Sequence, residues 1–359
     1  MNTSTQHTRP DNETLEQFAH DLNSIRSETM AKVGQKDANY IRKVIRVQRF
    51  SEIGGRISLV LGFISPIWWV AGVLLLALAK ILDNMEIGHN VMHGQYDWMN
   101  DPQLNSQTYE WDTVCDSESW RNTHNFEHHT FTNILGKDRD YGYDLLRLTH
   151  KEKWHPANIF QVIYYGLLSV FFQWGVALHE LNFGGILKGE VSLKEKIPFL
   201  KQFGRKSARQ IFKDYIFFPL IAGPFFLQVL LGNIVANLIR NLWTSTIIFC
   251  GHFPEEVETF SIEECENETK GHWYYRQMLG SANFHGSTLL HTLSGNLSFQ
   301  VEHHLFPDLP AHRYAEISPK VQAIAKELGI PYHTGSFFKQ YSGVVKRILV
   351  HSLPEPKTA

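Results

Sequence analysis

Twenty-three consecutive residues, Ile57 to Ala79 (ISLVLGFISPIWWVAGVLLLALA), carry no charge. As a helix such a run is long enough to cross a bilayer, because about 20 apolar residues span the hydrocarbon core. Pro66 interrupts it, and the residue before a proline is pushed out of the helical region. The segment therefore predicts a membrane hairpin that turns near Ser65-Pro66. Its first arm begins near Phe50 and its second runs past Lys80 towards His89.

Two more apolar stretches follow. Ala157 to Leu178 holds 22 uncharged residues, and Tyr215 to Ile239 holds 25 before continuing through Arg240 to Cys250. Seven basic residues lie from Lys188 to Arg209. Short basic loops favour the cytoplasm, and the basic segment Lys32–Arg56 agrees with that side. An even number of crossings must then separate groups that work on one face. This arithmetic predicts a second hairpin from about Tyr215 to Cys250, turning near Gly232-Asn233. Ala157–Leu178 would lie in the interface or re-enter. Arg240, inside a span, should face the protein interior. The expected fold class is all-α, with about four transmembrane helices and a cytoplasmic helical cap. Residues 1–50 form a polar to basic N-terminal segment, 51–330 the main domain and 331–359 a tail; AEISPKVQAIAKELGI, just before the tail, reads as an amphipathic helix.

Composition removes other classes. A formal charge of −2 lacks the basic footprint of a nucleic-acid binder. Aromatics at 13% exclude a disordered or rod-like chain. Three scattered cysteines, Cys115, Cys250 and Cys265, make neither a disulfide framework nor a thiolate metal site. The polar opening MNTSTQHTRPDNETLEQF has no apolar core of a signal peptide.

Histidine carries the chemistry. Of 19 in the chain, seven fall in three clusters: His89-Asn-Val-Met-His93, His124-Asn-Phe-Glu-His128-His129, and Gln300-Val-Glu-His303-His304. At this frequency any two-histidine pattern arises about once by chance, whereas three such clusters at the ends of apolar stretches do not. On a helix, residues four apart share a face, so His89 with His93, or His124 with His128, can grip one metal. A neighbour such as His129 sits about 100° round and can reach a second metal. Neutral imidazole suits iron, copper and zinc. His252, two residues past Cys250, is a further ligand candidate. His285 and His291 stay open between site and packing. His7, His20, His150, His155, His179, His272, His312, His333 and His351 read as surface or packing residues.

The strings GHNVMH, THNFEHH and FQVEHHLFPDLP, spread over roughly residues 50–330, resemble the membrane-bound fatty-acid desaturases, in the branch whose third histidine box opens with glutamine. The resemblance implies two irons on the cytoplasmic side of four spans, activating dioxygen. The implied metal ligands are His89, His93, His124, His128, His129, His303 and His304. His252 matches the extra ligand outside the boxes, and Gln300 stands where other branches have histidine. The implied reaction places a cis double bond in an acyl chain, carried on CoA or on a lipid. Gln300, Glu127 and Glu302 are candidate partners of the imidazole rings, the two glutamates alternatively solvated helix residues. Trp120, Phe126, Trp243 and Phe249 are candidates for an apolar substrate tunnel. Trp68 and Trp69 read rather as an aromatic belt.

Many glutamine-type desaturases carry a fused haem domain with a His-Pro-Gly-Gly string, but the one His-Pro here, His155-Pro156, is followed by Ala-Asn. No G-x-G-x-x-G dinucleotide fingerprint occurs. Electrons are therefore expected from a ferredoxin or flavoprotein reductase, as in bacterial acyl-CoA desaturases of the inner membrane. Two rivals share the histidines: a membrane hydroxylase of lipids, carotenoids or alkanes, and a membrane zinc-binding or transport protein. Transport predicts ionisable residues near mid-span, and only Arg240 approaches that.

Overall fold

The computed structural model describes residues 9–355; His7 lies outside them. Helix α1 (Asn12–Met30) starts where the Asp11 carboxylate accepts the Thr14 N–H at 2.8 Å, capping a free helix-end donor. Helices α2 (Gln35–Leu61) and α3 (Pro66–Ile81) form the expected hairpin. Ser65 leaves the helical region (φ −158°, ψ 140°) and caps α3, with Pro66 in its first turn. The two arms cross closely at Gly72, where a Cβ would stand 2.6 Å from the Leu59 backbone nitrogen. Beyond Ile81 the helix continues through a wide π-type stretch, Leu82–His89, and a last turn, Asn90–Met92.

The second hairpin differs from the expectation. Helix α7 (Ile197–Ile211) runs on through Phe212–Phe217 and Phe218–Ile221, the chain turns at Gly223-Pro224, and α8 (Phe226–His252) returns without a break. Gly232 and Asn233 sit within α8, not in a turn. Gly232 makes room for Leu59, while Asn233 accepts from Arg56 at 2.8 Å and donates to the Asp214 carbonyl. Their turn-like chemistry serves close helix packing. Much of the basic Lys188–Arg209 stretch is thus helix rather than loop.

Between the hairpins, the stretch from Pro156 forms α5 (Gln161–Val170) and α6 (Phe172–His179), bent by 100° at Phe171. By length and composition, Pro66–Met92 and Gly223–His252 can cross a membrane, and the bent pair would make a third span. The chain is a membrane protein.

Buried charge ties the hairpins together. Asp214, 2% exposed on its side chain, meets Arg56 of α2 at 3.0 Å and Lys80 of α3 at 2.7 Å. Intramembrane charges are tolerated when paired and turned inward. Arg240 is likewise buried, its guanidinium donating to Asn241 and Asn237 of its own helix.

The cap is also helical. Helix α4 runs Ser117–Trp120, then as a π-type stretch Arg121–His128, then His129–Phe131. It is followed by α9 (Lys270–Leu279), α10 (Gln300–Leu305), α11 (Tyr314–Glu327) and α12 (Phe337–Ser352). Among the described residues the only sheet is a parallel pair of three-residue strands, β1 (Asn283–His285) and β2 (Thr334–Ser336). Leu15, Phe18 and Leu22 of α1 close one core with Met278, Leu305, Ile317 and Val321.

Candidate metal centre

The ends of α3 and α8 and the helices α4 and α10 meet where the cap joins the hairpins, and each brings histidines. His89, His93, His124 and His303 form one group, and His128, His252 and His304 a second. Within each group the ligand atoms lie within 4.8 Å of one another. His129 stands between them, its ring centroid 4.7 Å from His93, 4.8 Å from His303 and 4.5 Å from His304.

The grouping departs in part from i, i+4 reasoning. His89 and His93 share a group, but His124 and His128 fall in different ones. The cause is local backbone geometry. In the π-type stretch that holds His124 and His128, hydrogen bonds run from i to i+5, so residues four and five apart both face inward. His124, His128 and His129 can then all point at the centre. The adjacent pair His303-His304 on α10 divides between the two groups.

Three of the rings are held from behind. His128 Nδ1 lies 2.9 Å from Asp138, His124 Nδ1 lies 3.1 Å from Asp140, and His304 Nδ1 lies 2.9 Å from Gln277 Oε1. An acceptor at Nδ1 fixes the proton there and leaves the Nε2 lone pair facing the centre. The Nε2 atoms of His93, His124, His128, His303 and His304, both ring nitrogens of His129 and Nδ1 of His252 are buried without a hydrogen-bond partner among the described residues. Buried polar atoms are seldom left unpaired. This many converging orphan lone pairs fits metal ions.

Electrostatics agree. Burial, then neighbouring imidazoles, push His129, His303 and His304 well below the ordinary histidine value, so they stand neutral, the form that binds a metal. At His128 burial is the largest influence and lowers the value, but the charge and hydrogen bond of Asp138 together with the charge of Asp140 outweigh it, and the net shift is upward. At Asp140 burial raises the carboxyl, yet the His124 hydrogen bond and the His128 and His179 rings hold it well below the usual range.

Several sequence expectations change here. Glu127 pairs with Arg139 at 2.8 Å, and Glu302 accepts from Asn283 and Tyr332, so neither touches imidazole. The carboxylates that do are Asp138 and Asp140, in the turn Leu135–Tyr141. Two aspartates two residues apart, just after a histidine box, were the available signal. Gln300 contacts His252, amide nitrogen to Nε2 at 3.0 Å, and a Cβ on the neighbouring Gly251 would stand 2.8 Å from its side chain.

A cavity opens beside the two groups, lined by Met85, Trp120, Phe172, Val176, Ile248, Phe253 and Leu297, with His89, His124, His128 and His252 on one wall. Trp120 stacks on His124 at 4.5 Å. The other three tunnel candidates lie elsewhere: Phe126 is 61% exposed, Trp243 bonds the Leu293 carbonyl, and Phe249 is buried behind the wall against Tyr143, Tyr165 and Phe253. Tyr143, at the cavity, holds a left-handed backbone (φ 55°) that side-chain-bearing residues rarely adopt. His179, read as a packing residue, lines the cavity 3.4 Å from Asp140.

Buried imidazoles gathered at the end of apolar helices, beside a largely apolar cavity, define a histidine-rich metal site in a membrane protein. The chain belongs to the fatty acid desaturase family, whose pattern matches residues 66–336. It is 47% identical over 345 residues to the NADPH-dependent stearoyl-CoA 9-desaturase of Mycobacterium tuberculosis, covering 95% of this chain and 81% of that one. It is 26% identical to the sn-1 linoleoyl-lipid 6-desaturase of Synechocystis, covering 75% and 76%. Human fatty acid desaturase 3 is 24% identical, covering 65% and 50%. The enzyme is a fatty acyl desaturase.

Proposed function

We propose that this enzyme desaturates a saturated acyl-CoA at two irons, using dioxygen and electrons from an external carrier. The observation that carries the reading is the convergence of unpartnered imidazole nitrogens beside a largely apolar cavity, which His124, His128 and His252 among them line. His89, His93, His124 and His303 would hold one iron, and His128, His252 and His304 the other, with His129 available to either. When bound, the irons supply the redox chemistry with dioxygen that removes hydrogens from an unactivated methylene, beyond the reach of side-chain acids and bases.

The chain's own residues do the rest. Asp138, Asp140 and Gln277 keep Nδ1 of His128, His124 and His304 protonated and those three rings turned inward. Trp120, Phe172, Ile248 and Leu297 form a dry wall along which an acyl chain lies, with one methylene brought to the histidines. CoA as the carrier follows from the mycobacterial relative, whose name specifies a stearoyl-CoA substrate.

Electrons come from outside the chain. That relative is named for its dependence on NADPH. Here the sequence has no dinucleotide fingerprint, and two strands of three residues offer no dinucleotide-binding sheet among the described residues. A ferredoxin or flavoprotein reductase therefore links NADPH to the metals. In the membrane, α2 with α3 and α7 with α8 act as two hairpins, α5–α6 re-enters without crossing, and the site faces the cytoplasm of a bacterial inner membrane.

The test is product analysis with purified, iron-loaded enzyme, stearoyl-CoA, oxygen, NADPH and a reductase with its carrier. A product two hydrogens lighter than substrate is expected. An alcohol one oxygen heavier would make the enzyme a hydroxylase. Zinc in the purified protein, with no oxygen uptake, would support a zinc-binding role.

A further inference from the structure

The basic residues at the start of the first hairpin play no part in the metal centre. Arg42, Arg46 and Arg49 are spaced by four and three residues on α2, so they share one face, and the same stripe continues to Ile53 and Ile57. Ile53 and Ile57 are more than half exposed, as is Phe50 beside them. One helix face thus changes from guanidinium to exposed hydrocarbon within a turn. The arginines line a cleft of about 750 Å³, completed by Arg209 of α7 from across it. Its lining is mixed: Ile45, Leu76, Ala79 and Ile87 stand beside Lys80, Asp83 and Tyr109.

Four carboxylates also border this cleft, and each has its own partner. Glu52 pairs with Arg56, Asp101 with Arg42 and Asp112 with Lys213, while Asp83 accepts the Asp112 N–H. Arg46, Arg49 and Arg209 form no ion pair among the described residues. Three guanidiniums without an ion pair, on a helix face that continues into exposed Ile53 and Ile57, match an amphiphile with a phosphate headgroup. Guanidinium binds phosphate through paired N–H donors, and anionic lipids attract juxtamembrane basic residues.

We propose that this cleft is a binding site for one anionic phospholipid, its phosphate held by Arg46, Arg49 and Arg209 and its chains lying along Phe50, Ile53 and Ile57. The site is separate from the histidine centre and rests on the membrane placement alone, so it can be tested without turnover. The full chain in mild detergent is exchanged into equal phosphatidylglycerol and phosphatidylcholine, and retained lipid is read by native mass spectrometry. The wild type should keep phosphatidylglycerol over phosphatidylcholine. In Arg46→Gln/Arg49→Gln/Arg209→Gln that retention should fall at least fivefold, while Lys320→Gln/Lys326→Gln, with the same sign of charge removed elsewhere, should keep it. Arg49→Gln alone, at an exposed and unpaired position, should give a partial loss and carries the test if the triple variant does not fold. Equal retention in wild type and arginine variants, or no preference for phosphatidylglycerol, would overturn the proposal. Displacement of the retained lipid by coenzyme A would also overturn it, assigning the cleft to a nucleotide phosphate instead.

Discussion

The Asp138 carboxylate lies 2.9 Å from Nδ1 of His128, with the aspartate side chain fully buried and the imidazole nearly so. The same carboxylate accepts the backbone N–H of Asn133 at 2.7 Å, so the turn that follows the second histidine box is fastened to the ring it orients. Asp138→Asn keeps the shape but removes the charge that fixes the His128 tautomer. Partners of this kind typically change metal affinity or activity by about 10- to 100-fold. Metal content per chain, measured during stepwise chelator dialysis, should fall at lower chelator in the variant than in the wild type.

Removing a ligand should have a larger effect. His89→Ala, His124→Ala, His128→Ala or His304→Ala each deletes an imidazole from one of the two groups and should abolish activity. His155→Ala, at an exposed position before α5, should be close to neutral. His129→Ala is the informative case, because its ring borders both groups; iron content should fall below that of either single-group variant. A fully active His128→Ala enzyme would remove the second group from the account.

Gly251 predicts a steric effect on the site. A methyl there would stand 2.8 Å from the Gln300 side chain, which in turn contacts His252. Overpacking a filled interior costs about 1–3 kcal/mol. Gly251→Ala should lower both melting temperature and activity, whereas Gly204→Ala, in α7 with nothing within 4 Å of the new methyl, should leave activity unchanged and raise stability slightly. Thermal melts alongside turnover separate the two.

The topology is tested by labelling single cysteines in intact cells. Lys188→Cys should react only from the cytoplasm, and Ile64→Cys, 62% exposed in the turn between α2 and α3, only from outside. External labelling at position 188 would break the two-hairpin arrangement. The structure favours one side for the basic stretch and the histidines, because Lys206 of α7 donates to the Trp111 and Cys115 carbonyls on the segment leading into α4.

The first hairpin was legible because Ser65-Pro66 has one local reading: proline forces the residue before it out of the helix. Gly232-Asn233 carried an equally local turn signal and yielded to tertiary packing, since Leu59 and Asp214 both needed the space and hydrogen bonds those residues provide. The histidines were legible as a set, because their chemistry is scarce. Their division was not, since regular helical spacing does not foresee the π-type turn at Arg121–His128. Asp138 and Asp140 went unseen because aspartates in a loop are common, and only the fold brings them behind two imidazoles. Phe126 misled for a related reason: it lies between two clustered histidines in sequence but is 61% exposed.

The central claim is that the two histidine groups hold the metals that desaturate an acyl chain. Its most direct test is expression in a host lacking unsaturated fatty acids, followed by mass spectrometry of the fatty-acid methyl esters. The wild type should yield a monounsaturated ester with a cis double bond, and His128→Ala, accumulating to the same level in the membrane, should yield none. Saturated esters alone from an iron-replete wild-type enzyme with its reductase present, or unsaturated esters from the His128→Ala variant, would contradict it.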